Sequence, residues 1–160
     1  MREINPEHIK ALKELMNRGP FYQLLSMRLC EVAVGYALVE VDLQDKHHNP
    51  FGTVHGGAYS AMIDTAAYWS AYCELNEGVG LTTIDLNVNL LAMAKSGLVS
   101  VEGRSLKVGR SLCLTEASVK DESGRLLAHG TSKLMVLQGK QSIATAIQTM
   151  DHTELPPKFL

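Results

Sequence analysis

Residues 49–72, NPFGTVHGGAYSAMIDTAAYWSAY, decide the fold of this chain. Asn49-Pro50 and Gly52 are turn formers. His55-Gly56-Gly57 then opens an almost unbroken apolar run rich in alanine, the strongest helix former. The stretch predicts one long helix over residues 55–76, apolar nearly all round and therefore in need of cover on most sides. Between Gly56 and Tyr72 it carries one charge, Asp64. A buried carboxylate is costly unless something pairs with it or uses it.

The flanking segments supply the cover. Upstream, Asn5-Pro6-Glu7 offers a helix cap, a proline at the first helical position and an early acid. Ile9, Leu12, Leu15 and Met16 follow at helical spacing, and Gly19-Pro20 ends that helix. MRLCEVAV (27–34) and YALVEVDLQ (36–44) read as strands around Gly35, the second with Ala37, Val39, Val41 and Leu43 facing inward. Downstream, Ile84, Leu86, Val88 and Leu90 alternate with Thr83, Asp85, Asn87 and Asn89. Three more strands follow: GLVSVEGRSLKV (97–108), RSLCLTEASVK (110–120) and RLLAHGTSKLMVLQ (125–138). Hairpin-length connections among these four call for antiparallel pairing. The expected class is α+β, a curved antiparallel sheet wrapped around one long central helix. Residues 1–138 form that domain with its N-terminal helix. Residues 139–160 read as an extension, a surface strap or disordered.

A net charge of -2 without a basic block argues against nucleic acid as a partner. No apolar run reaches the ~18 residues that span a membrane. The polar start MREINPEHIK carries no secretory signal pattern. Cys30, Cys73 and Cys113 are scattered, odd in number and without CxxC spacing, which reads as three buried thiols in a reducing, cytoplasmic setting. His47, His48, His55 and His129 fit no familiar metal spacing. His47 and His48 read as solvated loop residues, and His129 as a packed or cross-strand residue.

Projected at 3.6 residues per turn, Ala58, Met62, Ala66, Trp69 and Cys73 share the face against the sheet. Asp64 shares its side with Gly57, Ser60, Ala61, Ala67, Tyr68 and Ala71, whose small members leave room for a ligand or another backbone. Asp64 can be a satisfied buried hydrogen-bond acceptor or a catalytic group. Glycine amides at the helix start can stabilise developing negative charge, as an oxyanion hole does. Gly56 and Asp64 stand about 12 Å apart along the axis at ~1.5 Å per residue, too far to touch one carbonyl in one chain. If both act on the same carbonyl, two copies must meet across a two-fold axis, with two identical composite sites.

NPFGTVHGG, Asp64 nine residues beyond His55, TTIDLNVNLL and VGRSLCLTEASVKDESGRLLAHGTSKLMV together resemble the hotdog-fold thioesterases of the phenylacetate-degradation (PaaI-like) type, from about Met27 to Leu137. The resemblance implies hydrolysis of acyl-CoA thioesters by a homodimer, often paired into a homotetramer, with no metal and no cofactor (CoA is part of the substrate). It implies that Asp64 is the nucleophile or the base for water and that the Gly56 N–H polarises the carbonyl. His55 and Asn49 would orient the thioester, and Thr83, from the chain that supplies Asp64, would place the water. Lys107, Arg110 and Ser111 match a hairpin near the CoA phosphates, with Gly57 beside the substrate. The chain departs from the family pattern at NLLAMAKSG (89–97), where Leu90 replaces an aromatic and Met93 stands near a proline position. This favours an acyl pocket more aliphatic than aryl. A hydratase or dehydratase on the same fold, or an acyl-CoA-binding module without turnover, are the alternatives.

Overall fold

The computed structural model describes residues 3–150 and 154–160. Asn5 caps α1 (Pro6–Asn17) by accepting from the Glu7 N–H, with Pro6 in the first turn. Pro20 then begins a short second helix, α2 (Pro20–Leu24). Strands β1 (Met27–Ala33) and β2 (Tyr36–Leu43) lead to the central helix α3 (Gly56–Tyr72). Strands β3 (Val79–Leu90), β4 (Gly97–Val108), β5 (Leu112–Asp121) and β6 (Leu126–Gln138) follow, and then a helix in the tail, α4 (Ile143–Met150).

All six strands form one antiparallel curved sheet in the order β1-β2-β4-β5-β6-β3, and α3 packs against every one of them. Ala58, Met62, Ala66, Trp69 and Cys73 are all buried. The closest approach is at Gly103 of β4, where a Cβ would lie 2.1 Å from the Ala66 carbonyl oxygen. Backbone against backbone cannot yield as a side-chain tip can. Gly103→Ala is therefore expected to cost about 3 kcal/mol, near the top of the overpacking range, and to lower the thermal midpoint by roughly 6–12 °C. A calorimetric midpoint within 2 °C of wild type (less than about 1 kcal/mol) would refute this close-packing account.

Several expectations are corrected. β3 pairs with β6, not with β4, so residues 91–96 cross the end of the sheet instead of making a hairpin. The β3 alternation also breaks, because the register shifts between Thr83 and Asp85. Ile84 sits in that bulge and is 51% exposed. Leu81 and Thr83 point at the helix before the bulge, and Leu86 and Val88 after it. The helix stops at Tyr72, not residue 76, and Lys158 Nζ donates to the Tyr72 and Leu75 carbonyls at 2.6 and 2.7 Å. Burial lowers the Lys158 ammonium to about 8, while those carbonyls and the Tyr72 ring face 3.9 Å away favour its charge. His47 is buried, not solvated: its Nδ1 accepts from the Gln44 N–H and its Nε2 meets the Leu25 carbonyl at 2.7 Å. Cys73 and Cys113 are buried, but Cys30 is only half-buried beside Glu40. His129 reaches Glu116 across strands.

Candidate active site

His55 is the N-cap of α3. Its Nδ1 accepts from the Gly57 N–H at 2.8 Å, which leaves the ring proton on Nε2. Its carbonyl accepts from the Ala58 and Tyr59 amides at 2.9 and 3.4 Å. A helix begins with four amides that lack intrahelical acceptors. Of these, His55 satisfies the Gly57 and Ala58 amides and donates its own to the His47 carbonyl, and the Gly56 N–H is the one of the four without an acceptor among the described residues. That amide lies at the positive end of the helix dipole, suited to an oxygen gaining charge. Leu90 covers Gly56: a Cβ there would lie 2.7 Å from Leu90 Cδ1.

The loop before the helix is held by Asn49. Its Oδ1 accepts from the Phe51 and Thr53 amides and its Nδ2 donates to Thr53 Oγ1, an Asx turn that fixes the approach to His55. One Nδ2 proton remains for a ligand. The Gly57 N–H is taken by His55, so what Gly57 offers a ligand is its bare, exposed Cα.

Two turns further along α3, Asp64 is half-buried, and Thr83 Oγ1 donates to its Oδ1 at 2.8 Å. The β3 bulge makes this possible by keeping Thr83 inward in register with buried Leu134. Oδ2 has no hydrogen-bond partner among the described residues, and Asp64 lines a cavity beside the helix. That cavity, of about 250 Å³, is walled by Asp64, Tyr68 and Trp69 of α3, by Tyr22 of α2, and by Ile143 and Ala146 of α4. Trp69 Nε1 donates to Tyr22 Oη at 2.6 Å, so this ring turns toward the N-terminal helices and not only toward the sheet. Burial pushes the Tyr68 phenol up to about 12 and Tyr22 higher still, so both hydroxyls stay neutral.

Lys107, Arg110 and Ser111 are exposed around the β4–β5 turn. Thr83 pairs with Leu134, and Leu134 with Cys113 beside that turn. The turn thus stands two strands from Thr83, about 10 Å across the sheet. It is not at the Gly56 end. Among the described residues no three His, Cys, Asp or Glu side chains converge as a metal site. The inward role of Tyr22 and of α4 was missed in the sequence. The apolar spacing Ile143, Ala146, Ile147, Met150 was the available signal for α4.

The model of the family described as the thioesterase superfamily matches residues 51–128, which include His55, Gly56, Asp64 and Thr83. Over these residues, just under half of the chain, the sequence is similar to the thioesterase superfamily. Among its relatives, human acyl-coenzyme A thioesterase 13 is 28% identical over 127 residues, 78% of this chain and 88% of that protein. The 1,4-dihydroxy-2-naphthoyl-CoA hydrolase of Listeria monocytogenes is 28% identical over 105 residues, 66% of this chain and 85% of its own. A thioesterase structure from Haemophilus influenzae superposes with a TM-score of 0.78 at 19% identity, covering 88% of this chain and 97% of that one. The fold is that of the hotdog thioesterases.

Proposed function

We propose that the protein hydrolyses acyl-CoA thioesters to free acid and CoA at composite sites between two protomers. The observation that carries this reading is a pair of groups on α3: one free amide at Gly56, and one carboxylate held by Thr83 two turns on. The substrate carbonyl oxygen accepts from the Gly56 N–H of one protomer. Asp64 of its partner acts on the carbonyl carbon, either through Oδ2 directly, forming a mixed anhydride that a water hydrolyses after the thiolate has left, or through a water that gives Oδ2 its proton. Charge builds on the carbonyl oxygen under the amide, the C–S bond breaks, and CoA leaves as thiolate. His55 Nε2–H, next to Gly56 in the chain, is a donor for that sulfur. Thioesters are activated enough that a carboxylate and an oxyanion site suffice, and no metal or cofactor is needed. Acyl-coenzyme A thioesterase 13 and the naphthoyl-CoA hydrolase, by their names, support a CoA thioester as substrate.

The sheet edge supports the dimer. β3 ends the strand order, with twelve residues on an edge without a strand partner among the described residues. Leu90, Leu91 and Met93 beside it are 57, 56 and 75% exposed. Antiparallel pairing of two β3 edges about a two-fold axis continues the sheet, covers these side chains and sets two α3 helices head to tail. Each Asp64 then faces the partner's Gly56. A homotetramer would pair two such dimers without adding a group to the site. Lys107, Arg110 and Ser111, around the β4–β5 turn, would receive the CoA phosphates. No helix of the described residues is long and apolar enough to cross a membrane. We place the protein in the cytoplasm, where its three thiols stay reduced.

Free-thiol release from butanoyl-, octanoyl-, hexadecanoyl- and benzoyl-CoA tests the reading. Turnover of at least one is expected. Tight binding of all with no thiol released would make the protein a binding module, and hydration of an enoyl-CoA instead would make it a hydratase.

A further inference from the structure

The cavity beside Asp64 has a wall that the thioesterase match does not include. Ile143 and Ala146 come from α4, outside residues 51–128. A second cavity, of about 480 Å³, lies between α1, α4 and the strap at residues 154–158, with His8, Tyr72, Ile147 and Lys158 in its walls. Ser142 and Ile143 line both spaces. The first turn of α4 therefore stands as a partition between them.

We propose that Ile143 closes the acyl pocket and sets the length of the acyl group this enzyme accepts, a medium chain of about eight carbons or fewer. The length follows from about 250 Å³ divided by roughly 30 Å³ per water-sized group. The acyl group, and not CoA, belongs here because the walls hold no Lys or Arg and one acidic side chain, Asp64. A phosphate would meet a carboxylate there, while Tyr22, Tyr68, Trp69 and Ile143 offer apolar surface. A longer chain has to pass Ile143 to reach the larger cavity. The position of α4 is itself held from two sides. Gly80 of β3 leaves room for the backbone entering it, since a Cβ there would lie 2.1 Å from the Lys140 carbonyl oxygen. Beyond it, Lys158 fastens the returning strap to the end of α3.

This inference rests on the acyl-CoA reading, and one experiment separates the two. Thiol release is followed from butanoyl- to hexadecanoyl-CoA with wild type, Ile143→Ala and Ile143→Phe. Wild-type kcat/KM is expected to peak near octanoyl and to fall for tetradecanoyl. Ile143→Ala should raise the tetradecanoyl-to-octanoyl ratio about 10-fold or more, and Ile143→Phe should shorten the preferred chain. The second readout needs no turnover. Trp69 is the only tryptophan in the chain and lines the pocket, so ω-bromoalkanoic acids that enter it quench its fluorescence. The chain length at which quenching fails should move in the same directions. Hydrolysis with a length profile and quenching indifferent to residue 143 would overturn the pocket assignment and leave the acyl-CoA reading standing. Quenching with a length limit that moves, but no thiol release from any substrate, would do the reverse. Neither quenching nor turnover would overturn both.

Discussion

Asp64→Asn is expected to lower kcat for the preferred acyl-CoA by about 100- to 1,000-fold, a loss of about 2.7 to 4.1 kcal/mol of transition-state stabilisation. The amide keeps the size of the carboxylate and can still accept from Thr83 Oγ1, so packing survives while the attacking or proton-accepting oxygen is lost. KM should stay within about threefold, because the carboxylate acts on the reacting carbon and not on the remote parts of the substrate. An unchanged melting midpoint would separate chemistry from folding. A kcat within 10-fold of wild type, short of a general base's contribution of about 100-fold, would remove Asp64 from the mechanism. Asp64 would then be a half-buried acceptor for Thr83 and no more.

Gly56→Pro tests the other end of the helix, and it does so cleanly. Proline at the first helical position keeps the helix and deletes only an N–H that has no helical partner. His55 already has the extended backbone, ψ 138°, that a residue before proline prefers. The added ring carbons meet the tip of Leu90, a side chain able to turn aside. Loss of one oxyanion donor should cost about 100-fold or more in kcat. The decisive result comes from mixing. Protomers carrying Asp64→Asn and protomers carrying Gly56→Pro, unfolded and refolded together in equal amounts, form mixed dimers. In each, one site holds both defects and the other holds neither. Random pairing should restore about a quarter of wild-type activity from two nearly inactive proteins. If Asp64 and Gly56 of one chain served the same site, every site in the mixture would keep a defect and nothing would be restored.

Much of this was legible in the sequence, for a physical reason. α3 announces itself through alanine-rich composition and apolar residues on every side, and β2 through strict alternation, since each is decided by local periodicity. Asp64 and Gly56 stood out because one is a lone charge in an apolar helix and the other a glycine at a helix start. What stayed hidden depends on contacts distant in sequence. That β3 pairs with β6 and not β4 is a choice among similar edges, made by the crossing of residues 91–96 over the sheet. His47 looked like a loop residue because its acceptor, the Leu25 carbonyl, is 22 positions away. The tail resembled a strap because two prolines dominate its end, while the helical stripe from Ile143 to Met150 is too short to stand alone and gains its stability by packing on the core.

The bulge at Ile84 makes the site depend on a count of residues rather than on the chemistry of one. A strand has two faces, and each added residue exchanges them. With Ile84 in place, odd-numbered Thr83 and even-numbered Leu86 look the same way, one toward Asp64 and the other into the core. The side chain at 84 points outward and is free to vary, but its place in the chain is not. Without that residue, a strand kept in register beyond Asp85 would turn Thr83 to the opposite face, and Asp64 would lose its hydroxyl although every residue of the candidate site was still present. Parity, carried by an outward-facing isoleucine that touches no substrate, is part of what assembles this site.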